Sequence, residues 1–223
     1  MKKIKIVYFI YLRPNYWQKI FIEQFDNLKS CGLYDKTDEI YISVIDEYDE
    51  FKELKKIIKK DYPKVRLKNV FKKNYFEYGG FKTLKEVTDE NCIILYFHSK
   101  GMFSETIENN VNKIRKILFD NTIKNFNFFI DNFQNRPNLN LGGLFINKNG
   151  FVYYNFFWIN GEFIKNKIPT PKINEDRFVW ETWLKNYFQK NEEKNFISPY
   201  DYIKFENKTQ VKKIMKKILA DKI

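Results

Sequence analysis

Four short apolar runs, each separated from the next by a segment of helical periodicity, fill the first hundred residues and restrict the chain to few architectures. Residues 4–11 form a run of β-branched and aromatic side chains, as in a strand buried on both faces. Trp17, Ile20, Phe21, Phe25 and Leu28 then recur at helical spacing, with Gly32 where a C-terminal cap belongs. Residues 40–45 predict a second strand; Phe51, Leu54, Ile57 and Ile58 mark a second helix that Pro63 stops. Residues 65–70 predict a third strand, Phe81, Leu84 and Val87 a short third helix, and residues 92–97 a fourth strand. This alternation implies an α/β fold with a mainly parallel sheet covered by helices. Ligands of such sheets bind at the carboxyl ends of the strands.

Beyond the fourth strand the pattern changes. A long helical stretch is expected over residues 105–133, ending before Pro137, followed by a strand over 141–146. Residues 151–164 are too densely aromatic for a simple amphipathic period, and Pro169 and Pro171 precede a helix carrying Phe178, Trp183 and Phe188. In residues 211–219, Val211, Ile214, Met215, Ile218 and Leu219 form one apolar stripe, with Lys212, Lys213, Lys216 and Lys217 facing away from it. Such a helix either docks on the core with a solvated basic face or attaches to an anionic membrane surface. No internal repeat and no separating linker is present.

Composition narrows the function classes. Of 223 residues, 40 are Lys or Arg and 28 are Asp or Glu, a net charge of +12 with the single His neutral. A hydrophobic fraction of 43% excludes a disordered chain. The basic, aromatic-rich balance suits nucleic acid, but the lysines are scattered over several helices with no nucleic-acid module, so no nucleic-acid partner is expected. Cys31 and Cys92 make neither a disulfide framework nor a zinc cluster. A cytoplasmic protein is the simplest reading, with peripheral attachment to the inner face of the membrane through the C-terminal helix as its variant. The apolar run at residues 6–12 is cut by Arg13 and Pro14, unlike a signal peptide.

The fourth strand ends Ile94-Leu95-Tyr96-Phe97-His98-Ser99-Lys100-Gly101. It delivers His98, Ser99 and Lys100 to the carboxyl edge of the sheet, and Gly101 permits a tight turn and close backbone approach. An ammonium, a hydroxyl and an imidazole there suit phosphate oxygens; the plain alternative is an ordinary strand end with one polar His. At the ends of the first two strands, Tyr11 and Arg13 can stack on or bond to a nucleotide, and Asp46 can take a ribose or base hydrogen bond.

Read together, these segments resemble a family of glycosyltransferases with the nucleotide-sugar-binding GT-A fold, found in polysaccharide and lipopolysaccharide loci. The resemblance is carried by Cys31-Gly32-Leu33-Tyr34-Asp35, Phe76-Glu77-Tyr78, Tyr96-Phe97-His98-Ser99-Lys100-Gly101, Tyr154-Asn155-Phe156-Phe157-Trp158 and Arg177-Phe178-Val179-Trp180-Glu181-Thr182-Trp183, in that order. It spans roughly residues 1–185. One GT-A-like domain is therefore expected over residues 1–205, followed by a basic amphipathic helix over 206–223.

The resemblance implies transfer of a sugar from a nucleotide-diphosphate sugar to a hydroxyl of a glycan or glycolipid. Where many GT-A enzymes hold Mn²⁺ or Mg²⁺ with an Asp-x-Asp motif, this chain has His98-Ser99-Lys100. Lys100, helped by His98, is then expected to offset the leaving diphosphate charge, while Asp46 and Glu77 are the acidic residues left to ligate a metal. Tyr11, Arg13, Asp46, Glu77, His98, Ser99, Gly101 and Arg177 make up the expected donor-binding set, and Trp158 the acceptor platform. An inverting reaction needs a base, for which Glu181 is the first expectation and Asp176 the second, beside Trp180 and Trp183. The competing reading of Glu181 is a solvated carboxylate paired with Arg177 or Lys185. The competing reading of the whole chain is an inactive GT-A-like scaffold.

Overall fold

A computed structural model describes residues 1–99, 108–188, 195–199, 203–205 and 207–220. The strands are β1 (Lys3–Tyr11), β2 (Glu39–Ile45), β3 (Val65–Phe71), β4 (Cys92–His98), β5 (Leu141–Gly143), β6 (Ile146–Asn147), β7 (Phe157–Asn160), β8 (Phe196–Ile197) and β9 (Ile203–Phe205). Seven of them make one sheet in the order β3-β2-β1-β4-β7-β5-β8, and β6 pairs with β9 in a small second sheet. Strands β1 to β4 run parallel; β7 alone opposes its neighbours, β4 and β5. This is the α/β class expected from the sequence, a mainly parallel sheet flanked by helices.

Strand period sorts the side chains of β1 onto two faces. Ile4, Ile6, Tyr8 and Ile10 enter one apolar cluster, Val7 and Phe9 the other. The first cluster is covered by α1 (Trp17–Ser30), α2 (Leu33–Lys36), α3 (Phe51–Asp61), α5 (Glu108–Leu118), α6 (Phe126–Asn135) and α9 (Lys208–Ala220). The second is covered by α4 (Tyr78–Val87), α7 (Gly161–Lys167) and α8 (Arg177–Glu181). Because both faces are buried, β1 and β4 read as continuous apolar runs, whereas the edge strand β3 alternates with exposed residues; all four match their expected bounds to within one residue at each end.

The later half departs from expectation in three places. The long helix breaks at a π-helical turn, Phe119–Ile123, in which Lys124 N–H bonds to the Phe119 carbonyl and the Thr122 carbonyl accepts from the Trp158 indole at 2.8 Å. The strand expected over 141–146 stops at Gly143 and resumes as β6 in the second sheet. The last aromatic helix is only the five residues of α8 followed by a 3-10 turn, Trp183–Tyr187. Helix α9 docks on the core: Val211 and Met215 are buried in the first cluster, with Ile214 and Ile218 packed against it. Among the described residues no helix is long and apolar enough to cross a membrane.

A glycine pair sets α4 unusually close to the sheet. A Cβ on Gly80 would lie 2.5 Å from the Tyr96 hydroxyl and 2.9 Å from Phe9 Cβ, and one on Gly79 would lie 2.7 Å from Ser43 Oγ. Close approach at this point brings the start of α4, and with it Glu77, against the end of β4.

Candidate functional site

The chain leaves β1 toward β2 and β3, then returns to β4 on the other side of β1. That reversal is the switch point at which open α/β sheets form their ligand crevice. The strand ends are tied together there: Ser99 N–H bonds to the Phe9 carbonyl at 2.9 Å, Tyr11 N–H to Ser99 Oγ at 3.4 Å, and Leu12 N–H to the Ile45 carbonyl at 2.8 Å.

Backbone strain concentrates at the same edge. Among the described residues, the non-glycine positions with positive φ are Asn15 (68°), Asp49 (60°), Phe76 (53°), Tyr154 (72°) and Asn155 (49°). The first three follow β1, β2 and β3; the last two precede β7, which begins beside the end of β4 because the two strands are antiparallel. Conformations of this kind persist where the surrounding structure over-determines them, and they cluster at functional sites.

Glu77 lies at the centre of the strained segments. Its Oε2 accepts from Asn155 Nδ2 at 2.8 Å and from the Tyr96 hydroxyl at 3.3 Å, and its Oε1 is 3.9 Å from His98 Nε2. Asn155 Nδ2 also donates to the Trp180 carbonyl at 3.2 Å, so one buried amide ties the carboxylate to α8. His98 Nε2 is 3.0 Å from the Tyr154 carbonyl. A carbonyl only accepts, so that bond requires a proton on Nε2. The Glu77 and His98 side chains are 16% and 13% exposed, enough to meet a ligand while largely shielded. Burial, then the Glu77 charge, holds the Tyr96 hydroxyl well above the ordinary tyrosine pKa, which keeps it a donor.

The structure brings Glu77, His98, Ser99 and Tyr11 to this edge. The Tyr11 hydroxyl donates to Glu47 at 2.7 Å, and its ring lies 6.2 Å from that of Tyr48, itself half exposed. Burial, with Tyr48 and Glu47 beside it, raises the Tyr11 pKa. Arg13 lies 5.7 Å from the centre of the Tyr16 ring. Lys100 and Gly101 lie outside the described residues.

Other expected residues are placed differently. Asp46 is buried with its oxygens engaged, Oδ1 by Glu50 N–H at 2.7 Å and Oδ2 by Lys72 Nζ at 2.7 Å, so it fixes the turn into α3. Trp158, expected as a sugar platform, is fully buried: its indole bonds to Thr122 and its ring stacks on Phe129 at 6.0 Å, leaving no face for an acceptor. Asp176 caps α8 by accepting from Phe178 N–H at 2.8 Å. Glu181 pairs with Arg177 at 3.1 Å and approaches Lys208 at 3.8 Å, the paired arrangement weighed against the base.

Nothing local in the sequence assigns Asn155 or Tyr96 a role. Their signals were an Asn inside an aromatic block, the residue there most tolerant of positive φ, and the Gly79-Gly80 pair that draws Glu77 toward Tyr96. As for a metal, the described residues contain no group of three His, Cys, Asp or Glu side chains able to hold one. A divalent ion held here would take the Glu77 carboxylate but not His98 Nε2, which carries the proton bonded to the Tyr154 carbonyl, and would complete its shell with substrate phosphates and water, as Mg²⁺ commonly does.

No protein-family model matches the sequence, and no curated protein matches it. Several solved structures are similar in fold. One is 4-diphosphocytidyl-2C-methyl-D-erythritol synthase from Anaerococcus prevotii DSM 20548, at 12% identity and TM-score 0.43 over 98% of this chain and 99% of that one. Another is the mannosyltransferase PcManGT from Pyrobaculum calidifontis, in complex with GDP-Man and Mn²⁺, at 10% identity and TM-score 0.48 over 91% of this chain and 56% of that one. A third is a further 4-diphosphocytidyl-2C-methyl-D-erythritol synthase, at 9% identity and TM-score 0.40 over 96% and 98%. Likeness at this level concerns the α/β layout and assigns no activity.

Proposed function

We propose that the chain is a glycosyltransferase that passes a sugar from a nucleotide-diphosphate sugar to a hydroxyl of a surface glycan or glycolipid, such as capsule or lipopolysaccharide. The observation that carries this reading is the Glu77–His98 pair, 3.9 Å apart at the sheet's switch point. Glu77 accepts from the amide of Asn155 and the hydroxyl of Tyr96, which orient the carboxylate. In this reading Glu77 takes the proton from the acceptor hydroxyl as it attacks the anomeric carbon, and configuration inverts. That role moves here from Glu181 and Asp176, whose oxygens serve an ion pair and a helix cap.

The leaving diphosphate needs positive charge and hydrogen-bond donors. Ser99 and His98 stand at the end of β4, and Lys100, next in the chain, is the cation the sequence offers there. Arg13 and Arg177 are the arginines proposed for the donor side. No step in this scheme passes through a metal, and metal dependence is one arm of the test.

The test is thermal stability against a panel of nucleoside diphosphates and nucleotide sugars, each with and without Mn²⁺ or Mg²⁺. A donor at about a hundred times its Kd adds roughly 2.7 kcal/mol, or about 5–10 °C in a domain of this size. The stabilising donor is then tried for sugar transfer with the Glu77→Gln variant as control. A folded protein that no nucleotide stabilises is the scaffold, and the transferase reading fails.

A further inference from the structure

The basic face of α9 is the charged surface that the proposed reaction does not use. Lys212, Lys213, Lys216 and Lys217 are all exposed, and within the helix they fall on one side over about 8 Å of rise. No acidic residue occurs anywhere in α9. By contrast α3, the other lysine-rich helix, carries Glu53, paired with Lys56 at 3.0 Å, and ends at Asp61. The opposite side of α9 is already spent, since Val211 and Met215 are buried in the core and Ile214 and Ile218 pack against it. Its start is fixed by Asn207, whose Oδ1 accepts from Thr209 and Gln210 N–H at 3.1 Å each. Lys208 lies 3.8 Å from Glu181 and 5.9 Å from the centre of the Tyr154 ring, so the helix begins beside the candidate site.

From this arrangement we infer that α9 is a docking surface for an anionic lipid bilayer, and that it binds by charge alone with its apolar side kept in the core. Helices that insert into a membrane interface use their apolar face for it; here that face covers the protein's own core. The strip is all lysine, without arginine for bidentate phosphate contacts and without an aromatic ring for base stacking. Such compact point charges match the diffuse negative potential of a lipid surface better than the shaped grooves of nucleic acid. A bilayer bound there lies within roughly 20 Å of the candidate site, the length of a thirteen-residue helix.

The test is flotation of the full chain with vesicles of phosphatidylcholine alone or with 30% phosphatidylglycerol. Binding is expected only to the anionic vesicles and is expected to disappear as salt rises from 0.05 M to about 0.5 M, where the screening length shrinks to roughly 4 Å. Replacing Lys212, Lys213, Lys216 and Lys217 with Gln is expected to weaken partitioning on the order of a thousandfold. Replacing Lys52, Lys55, Lys59 and Lys60 of α3 with Gln removes the same net charge and is expected to change it less than about fivefold. Equal losses in both variants mean a global charge effect and overturn the inference. So does binding that survives high salt, which means insertion, or tighter binding of duplex DNA or RNA through the same four lysines. None of these readouts needs a sugar donor, so the membrane surface and the transferase reading fail or stand separately.

Discussion

At the amino edge of the sheet, Lys5 is clamped by Asp89 at 2.7 Å, by Glu39 at 3.0 Å and by the Val87 carbonyl at 2.8 Å. At the carboxyl edge, Glu77 is gripped just as firmly, by the Asn155 amide and the Tyr96 hydroxyl. One buried charge is matched by two opposite charges on ordinary backbone. The other receives an amide and a hydroxyl, with His98 3.9 Å away, beside residues with positive φ on both sides of it. A charge that serves stability is best neutralised, because burial without a partner is costly. A charge that serves chemistry has to stay reactive, so it is oriented by donors that leave it in place, and the backbone carries the strain.

The largest effect expected from this contrast is at Glu77. Glu77→Gln keeps shape and hydrogen-bonding capacity but removes the base, and transfer should fall by about 10²–10⁴-fold. Nucleotide-induced stabilisation should change by less than about threefold in apparent Kd. Steady-state kinetics beside a thermal-shift titration separate the two. A variant that transfers normally would remove Glu77 from the chemistry and leave both edges merely structural.

Next in size is the loss of Lys5. Lys5→Met leaves Glu39 and Asp89 facing each other's charge, but Asp89 is 44% exposed and water relieves part of it. Roughly 2 kcal/mol of stability should be lost, about 4–8 °C in melting temperature. Burial works against the Lys5 charge, yet its bonds to Asp89 and Glu39 outweigh burial and raise its pKa. Glu39 and Asp89 are likewise opposed by burial and lowered through Lys5. Groups lowered on folding stabilise above their unfolded pKa, near 4, and lose that as pH falls; a lysine raised on folding stabilises below about 10.4 and loses that as pH rises. The gap between the wild-type and Lys5→Met denaturation midpoints should therefore be flat from about pH 5 to 10 and narrow outside it. A gap that changes steadily across neutral pH would mean the triad is not what stabilises this edge.

Much of this was legible in the sequence where physics is local. Strands buried on both faces must be apolar throughout, so β1 and β4 stand out in the sequence, and with them the edge that carries Tyr11, His98 and Ser99. What was not legible depends on contacts distant in sequence. Asn155 meets Glu77 across 78 positions, and no local pattern announces that. A buried tryptophan and a sugar platform have the same letter, and only the fold shows that the Trp158 indole points to Thr122. Asp46 stood at the right strand end, yet Lys72 and the Glu50 amide engage it, and Lys72 is 26 residues away.

Asn155 provides a finer probe of the carboxyl edge. Asn155→Gly tolerates the positive φ and deletes only the amide, so transfer should fall about 10–100-fold through kcat with KM for the donor nearly unchanged. Asn155→Ala should show the same kinetic loss and a further destabilisation of about 1–2 kcal/mol, because alanine resists the left-handed region. If the glycine variant retains full kcat, Glu77 does not need its amide partner, and neutral orientation is not the principle at this edge.

The smallest effect belongs to Glu181, and it decides which carboxylate the reaction uses. It sits four residues from Arg177 on α8, bonded at 3.1 Å, with 30% of its side chain exposed and Lys208 at 3.8 Å. Partly exposed pairs of this kind are worth about 0–1 kcal/mol. Glu181→Gln should therefore move the melting temperature by no more than about 4 °C, and transfer should stay within about threefold of wild type if Glu77 is the base. Measuring Glu77→Gln and Glu181→Gln side by side makes the outcome unambiguous. A silent Glu181→Gln with a dead Glu77→Gln puts the chemistry on the neutral-donor pair at the switch point. The reverse result returns the base to α8, and the dipoles around Glu77 then hold a carboxylate that shapes the donor pocket and takes no proton.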